Sequence, residues 1–175
     1  MTIDFGVAKD VEARSTGEPG QRTFHLRIIG QAGQSASLKL EKQHLVGLLT
    51  GLRELLAKIG YETEPEVRAP ADFPRTADYD FPVGRLGIGF STEDGSVVLE
   101  ATELEAADDE EATAIRVRLT PRQGASLASQ MEEIIGAGRP ICPLCWAPID
   151  PEGHLCVKSN GHSRQPIPDE DADRE

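Results

Sequence analysis

Twice along this chain the hydrophobic pattern changes period, from two residues to about 3.6, and each change falls at the same place in a strand-to-helix succession. In the first half Phe24, Leu26 and Ile28 alternate with His25 and Arg27, as in a half-buried strand. Gly30-Gln31-Ala32-Gly33 reads as a turn, and Leu38 and Leu40 resume the alternation. Leu45, Leu48, Leu49, Leu52, Leu55, Leu56 and Ile59 then share one helical face, which Gly60 ends. In the second half Leu86, Ile88 and Phe90 lead to a Thr92-Glu93-Asp94-Gly95 hairpin turn. Val97, Leu99 and Ala101 return, and Ile115, Val117 and Leu119 form a third strand. Thr120 reads as a helix N-cap, with Pro121 at the first helical position and Gln123 at the third, before Leu127, Met131, Ile134 and Ile135. An extra strand, Asp4 to Arg14, precedes the first pattern.

A shift of 79 residues carries Leu40 onto Leu119, Leu48 onto Leu127, Leu52 onto Met131 and Leu56 onto Ile135. The expected fold class is therefore α+β: two antiparallel strand-strand-strand-helix units, read as an internal repeat, followed by a C-terminal zinc knuckle. The expected boundaries are 1–61 for the first sheet and helix, 62–82 for a proline-rich linker and 83–138 for the second sheet and helix. Residues 139–165 form the knuckle, docked on the second half, and 166–175 a disordered acidic tail.

The knuckle rests on three cysteines, Cys142, Cys145 and Cys156, with no other cysteine in the chain. Cys142-Pro143-Leu144-Cys145 places two thiols on one tight turn, and a third thiol with a nearby imidazole completes a Cys3His set for a structural Zn²⁺. Two histidines compete for the fourth position. If Asp150-Pro151-Glu152-Gly153 closes as a simple hairpin turn, Cys156 falls diagonally beside Cys145. His154 then lies four residues further along its strand, roughly 13 Å away at 3.3 Å per residue. Asn160-Gly161 is a second turn signal that would fold His162 back. The expected ligands are Cys142, Cys145, Cys156 and His162. Redox use of the Cys-x-x-Cys pair lacks the strand-then-helix context of thioredoxin-like proteins, and a closed set leaves no position for catalytic water.

The net charge is −12. Residues 1–60 hold eight Lys/Arg against six Asp/Glu, and residues 61–175 ten against twenty-four. An acidic surface opposes binding to phosphate backbones or anionic membranes and suits a basic protein partner. No apolar run is long enough to span a bilayer, and the first residues lack a signal-peptide pattern, so a reducing, cytoplasmic setting is expected.

Weaker signals have plainer readings. Gly84-Arg85-Leu86-Gly87-Ile88-Gly89 reverses the dinucleotide fingerprint and precedes no helix, so it reads as a strand. Arg116 and Arg118 either form a basic stripe or pair across strands with Glu100 and Glu103. Asp72, Asp78 and Asp80 lie beside Phe73 and Tyr79 on the linker, as a solvated crossover or a ligand site. Trp146 either packs over the knuckle or anchors a partner.

The Cys142-to-Cys145 knuckle, Asp150-Pro151-Glu152-Gly153-His154-Leu155-Cys156 and Ser159-Asn160-Gly161-His162 together resemble the end of an uncharacterised actinobacterial family, domain of unknown function number 3090. Asp4-Phe5 and the Gly84-to-Phe90 strand are similar too. The resemblance implies a bacterial cytosolic protein and supplies no reaction. Trp146 departs from the glycine expected after the knuckle. The leading functional expectation is a non-enzymatic, zinc-stabilised adaptor or regulatory protein that binds another protein, with no nucleic acid and no membrane. The alternative is an enzyme with a pocket between the two halves, lined by the Asp72–Asp80 loop and acting on a phosphorylated substrate.

Overall fold

The computed structural model of the protein describes residues 1–18, 20–62, 72–104, 112–138, 142–145, 149, 153–156 and 158. Residues Met1–Gly138 form one compact unit and Arg139–Glu175 a second. The first unit runs β1 (Thr2–Val7), β2 (Asp10–Thr16), β3 (Thr23–Ile29), β4 (Ser35–Leu40), α1 (Lys42–Lys58), β5 (Tyr79–Ser91), β6 (Ser96–Glu103), β7 (Ala114–Leu119) and α2 (Pro121–Gly136).

The expected two sheets are one. Seven strands join in the order β1-β7-β6-β5-β4-β3-β2. The local pairings are antiparallel, as the alternation implied, but two seams are parallel: β1 with β7, and β4 with β5. The parallel seams join residues far apart in sequence, Ala36 with Tyr79 and Thr2 with Ala114. Periodicity reports which residues alternate, not which distant strand they meet, so it could not foresee either seam. The linker expected over 62–82 accordingly ends in strand: Tyr79, Asp80, Phe81 and Pro82 pair with Ala36, Ser37, Leu38 and Lys39.

The two ends of this order, β1 and β2, are consecutive in the chain. In a flat sheet they would lie about 29 Å apart at ~4.8 Å per strand, whereas the link through Ala8 and Lys9 spans at most about 11 Å. The sheet therefore rolls up. Adjacent amides mark the closure: Ala8 N–H donates to Arg118 O of β7 at 2.8 Å, and Lys9 N–H to Ile29 O of β3 at 2.9 Å. The single strand expected from Asp4 to Arg14 is thus two, divided where it changes partners. Gly6, at φ 64, lies where the β1 register shifts. A side chain there would be strained in its backbone and would collide with Gln31.

Strand β5 makes the same exchange. Its start pairs in parallel with β4, and from Val83 onward it pairs antiparallel with β6. Asp4-Phe5 and Asp80-Phe81 occupy corresponding places before the two exchanges.

Helix α1 packs on α2 and β5, and α2 packs on β2. Leu45, Leu48, Leu52, Leu56, Leu127 and Met131 are buried, as their spacing requires, while Leu55 and Ile134 are partly buried against the same core. Arg53 and Glu132 form an ion pair between the helices. Gln123 N–H donates to Thr120 Oγ1 and Thr120 N–H to Gln123 Oε1, the reciprocal cap expected of this sequence. The Gln123 amide also donates to Ala8 O at 2.8 Å, tying the cap to the sheet closure. The last turn of α2 holds no basic residue. Arg22 supplies one from outside, donating to Ile134 O and Ala137 O.

On the outer face Arg116 pairs with Glu100, as expected. Arg118 turns instead to Asp94, at 3.0 Å, and not to Glu103. Asp94 also accepts from Ser96 Oγ at 2.6 Å and Ser96 N–H at 3.2 Å. The Ser96 hydroxyl above all, with Ser91, Ser96 N–H and Arg118 adding to it, lowers its pKa to about 2. The fold therefore favours the carboxylate. The resulting stabilisation is fully present above the ordinary value of 3.8 and is lost as pH falls through about 2. We expect a carbon-detected carboxyl titration to place Asp94 well below the other exposed acids, and Ser96→Ala to move it back upward. An Asp94 midpoint at the ordinary value in the folded protein would refute this.

Candidate functional site

The second unit carries the cysteines. Pro143, Leu144 and Cys145 turn directly after the buried Cys142, and Cys145, His154 and Cys156 are half-buried. One donor atom from each of Cys142, Cys145, His154 and Cys156 lies within 4.8 Å of all the others. Cys142 Sγ is 3.7 Å from Cys156 Sγ, and Cys145 Sγ is 3.3 Å from His154 Nε2. The Cys142 and Cys156 sulfurs are far outside disulfide distance, and none of the three cysteines forms a disulfide.

These separations can be tested against a tetrahedral ion. With Zn–S of about 2.3 Å and Zn–N of about 2.0–2.1 Å, tetrahedral edges are about 3.8 Å between sulfurs and about 3.6 Å between sulfur and nitrogen. The two closest pairs match those edges within a few tenths of an ångström. With all four donors within 4.8 Å of one another, the set could close on one four-coordinate ion.

The fourth donor brought to the sulfurs is His154, which the hairpin argument set aside. That argument carried His154 straight along a strand beyond Cys156's partner. Gly153 has φ 97, a conformation open to glycine, and the His154 imidazole that follows it reaches Cys145, at 3.3 Å. His162 lies outside the described residues, as do Trp146 and the tail over 166–175.

The three linker carboxylates do not converge. Asp78 turns to the sheet and accepts from Ser35 N–H at 2.8 Å and Ser35 Oγ at 2.9 Å. Those bonds, the backbone one first, lower its pKa. Asp78 is thus a latch for the segment, and Asp72 is exposed. Among the described residues the Cys3His cluster is the one converging group of three or more acids, cysteines and histidines.

Asp80 does border a cleft of about 210 Å³. Its floor is the outer face of β2, β3 and β4, and its wall is formed by Phe73, Pro74, Arg75 and Ala77. Arg27 holds that wall. It sits 4.5 Å from the Phe73 ring centre, donates to Pro74 O at 3.2 Å, and pairs with Glu12 at 3.0 Å. His25 lies on the floor with Nδ1 3.4 Å from Ser37 Oγ. Burial pushes its pKa below the ordinary value; Asp80 opposes this, and Lys39 and Arg27 reinforce it. The sequence reading placed His25, Arg27 and Lys39 on an outer face but missed Arg14 and Arg75. Only the folded-back wall brings Arg75 over that face.

A rolled mixed sheet flanked by two helices, and a Cys3His cluster in the second unit, define an α+β protein with a candidate metal-binding segment. The chain belongs to the family DUF3090, a protein family of unknown function, whose pattern matches residues 3–156. That span takes in all of the sheet but Thr2, both helices and all three cysteines. No curated protein and no solved structure matches the chain.

Proposed function

We propose that this is a non-enzymatic, zinc-stabilised adaptor or regulatory protein acting through a protein partner in the reducing cytoplasm. The observation that carries the reading is the cluster of four donors within 4.8 Å of one another, Cys142, Cys145, Cys156 and His154. Four protein donors fill a tetrahedral ion and leave no position for water, which suits a structural site and not a hydrolytic one. Zinc is the proposed ion because three thiolates and an imidazole match its ligand preferences. His154 is the proposed fourth ligand, with His162 the competing one.

The same segment supplies a candidate contact surface. Leu144 is 53 % exposed and Leu155 94 % exposed. Two exposed leucines beside a metal-held turn suit docking to a protein, and the acidic charge of residues 61–175 would make encounter with a basic partner salt-sensitive. Among the described residues no helix is long and apolar enough to cross a membrane.

The repeat is proposed to reflect duplication. It is supported by the matching partner exchanges at Asp4-Phe5 and Asp80-Phe81. The Arg53–Glu132 ion pair adds support, since it joins positions 79 residues apart as a twofold axis between the helices would.

The test is affinity capture from the source bacterium with wild-type and Leu155→Asp baits. We expect a stoichiometric protein partner, retained at low salt and lost from the Leu155→Asp bait. Absence of any partner, together with hydrolysis of a phosphate or acyl substrate abolished by Asp80→Asn, would establish the enzyme reading instead.

A further inference from the structure

The cleft under the 73–77 wall is basic in a chain that is acidic overall. The chain carries −12 overall, yet Arg14, Arg27 and Arg75 converge here with His25, against Asp80 alone among the lining acids. Arg27 is already engaged by Glu12 and Pro74. Among the described residues Arg14 and Arg75 have no acidic partner.

The corresponding outer face of the second half makes the contrast. There Arg116 is neutralised by Glu100 and Arg118 by Asp94. In the first half Arg14 faces His25, and His25 faces Lys39. That row runs across three strands without a carboxylate. With no carboxylate in that row, the positive charge of Arg14 is left uncompensated across the sheet and would attract an anion.

The remaining lining fits the same purpose. Thr16 and Ser37 offer hydroxyls, the Ser35 hydroxyl being taken by Asp78, and the floor is made of paired strands, so the groups on it are held in register. The volume is below the several hundred Å³ of a drug-sized or cofactor site, so the ligand must be small. Arginine forks suit tetrahedral oxyanions, and Asp80 at the rim suits a hydroxyl donor on the ligand.

We propose that this cleft is a binding site for a small phosphate monoester, its phosphoryl oxygens held by Arg14 and Arg75 with His25 beneath, and its alcohol part facing Asp80 and Ser37. The site shares no residue with the metal cluster and does not depend on the adaptor reading.

The experiment is calorimetric titration of the full-length, metal-loaded protein with inorganic phosphate and with glycerol phosphate, at constant ionic strength set by sodium chloride. Saturable binding is expected, tighter for glycerol phosphate, with His25 ring proton resonances shifting on addition. Arg14→Gln and Arg75→Gln should each weaken binding by about tenfold to a hundredfold, as expected for loss of a charge-assisted hydrogen bond. Arg53→Gln, on the helix pair, should leave it unchanged. Because Arg14 and Arg75 are outside the hydrophobic core, thermal melts of these variants should match wild type. No saturable binding of either probe, or an equal loss in Arg53→Gln, would overturn the proposal.

Discussion

Stripping the metal is expected to loosen residues 139–165 while Met1–Gly138 stays folded. Structural zinc contributes about 10–16 kcal/mol of apparent binding free energy in small zinc-held peptides. The cysteine segment offers few large apolar groups, and two of them, Leu144 and Leu155, are exposed, so without the ion little remains to order it. The first unit has its own core, from Phe5 and Leu26 to Leu127 and Met131, which includes none of the thiols. Purified protein should contain one zinc per chain by elemental analysis, and Cys142→Ser should contain almost none. If the four ligands share the binding free energy about equally, His154→Ala weakens zinc binding on the order of a hundredfold or more, while His162→Ala leaves it near wild type. The reverse pattern would restore His162 as the ligand and make His154 a bystander. A metal-free native protein with three freely reactive thiols would remove the site altogether. Amide exchange across 139–165, fast after chelation and slow before, separates local loosening from global unfolding.

What could be read in the sequence follows the range of the interactions involved. Both helices, the Thr120–Gln123 cap, the turn before Gly95 and the antiparallel pairings are set by neighbours in the chain, and each was legible from spacing. The parallel seams were not, because Ala36 beside Tyr79 is a contact between distant segments that no period encodes. One local signal did exist. Asp4-Phe5-Gly6-Val7 and Asp80-Phe81-Pro82-Val83 are near copies. They mark the two strands that change partners, and aligning them would have extended the repeat back to the first residues. At the cysteines the three converging thiols were legible from their spacing. The choice between His154 and His162 rested on an assumed simple hairpin; the structure brings His154 to the cluster, and His162 lies outside the described residues. The Asp72–Asp80 segment, read as a solvated crossover or a ligand site, holds a latch, an exposed acid and a cleft rim, because the Ser35 bonds decide where Asp78 points.

Phe5→Ala should be among the most damaging single changes in the first unit. Phe5 is fully buried on an edge strand whose pairing to β7 closes the rolled sheet. Its ring centre lies 5.8 Å from that of Tyr79 at a 58° tilt, so it joins the two strands that change partners. Its carbonyl accepts from Gln31 N–H at 2.7 Å, which fixes the strand against the β3–β4 turn. Truncating a buried phenylalanine costs about 3–5 kcal/mol through lost transfer free energy and the cavity left behind. Set against a typical total of about 5–15 kcal/mol, that is a large share of the stability. Phe81→Ala, at the corresponding place in β5, should fall in the same range. Phe90→Ala, 36 % exposed on the same strand, should cost under about 1 kcal/mol. Urea unfolding of the zinc-loaded protein measures all three, with the midpoint shifting and the slope held constant. If Phe5→Ala lowers stability no more than Phe90→Ala does, β1 is a frayed edge laid on a core that stands without it, and the sheet is not held by its closure. If Phe5→Ala and Phe81→Ala are both severe, the two strands that exchange partners are the ones on which the rolled sheet depends.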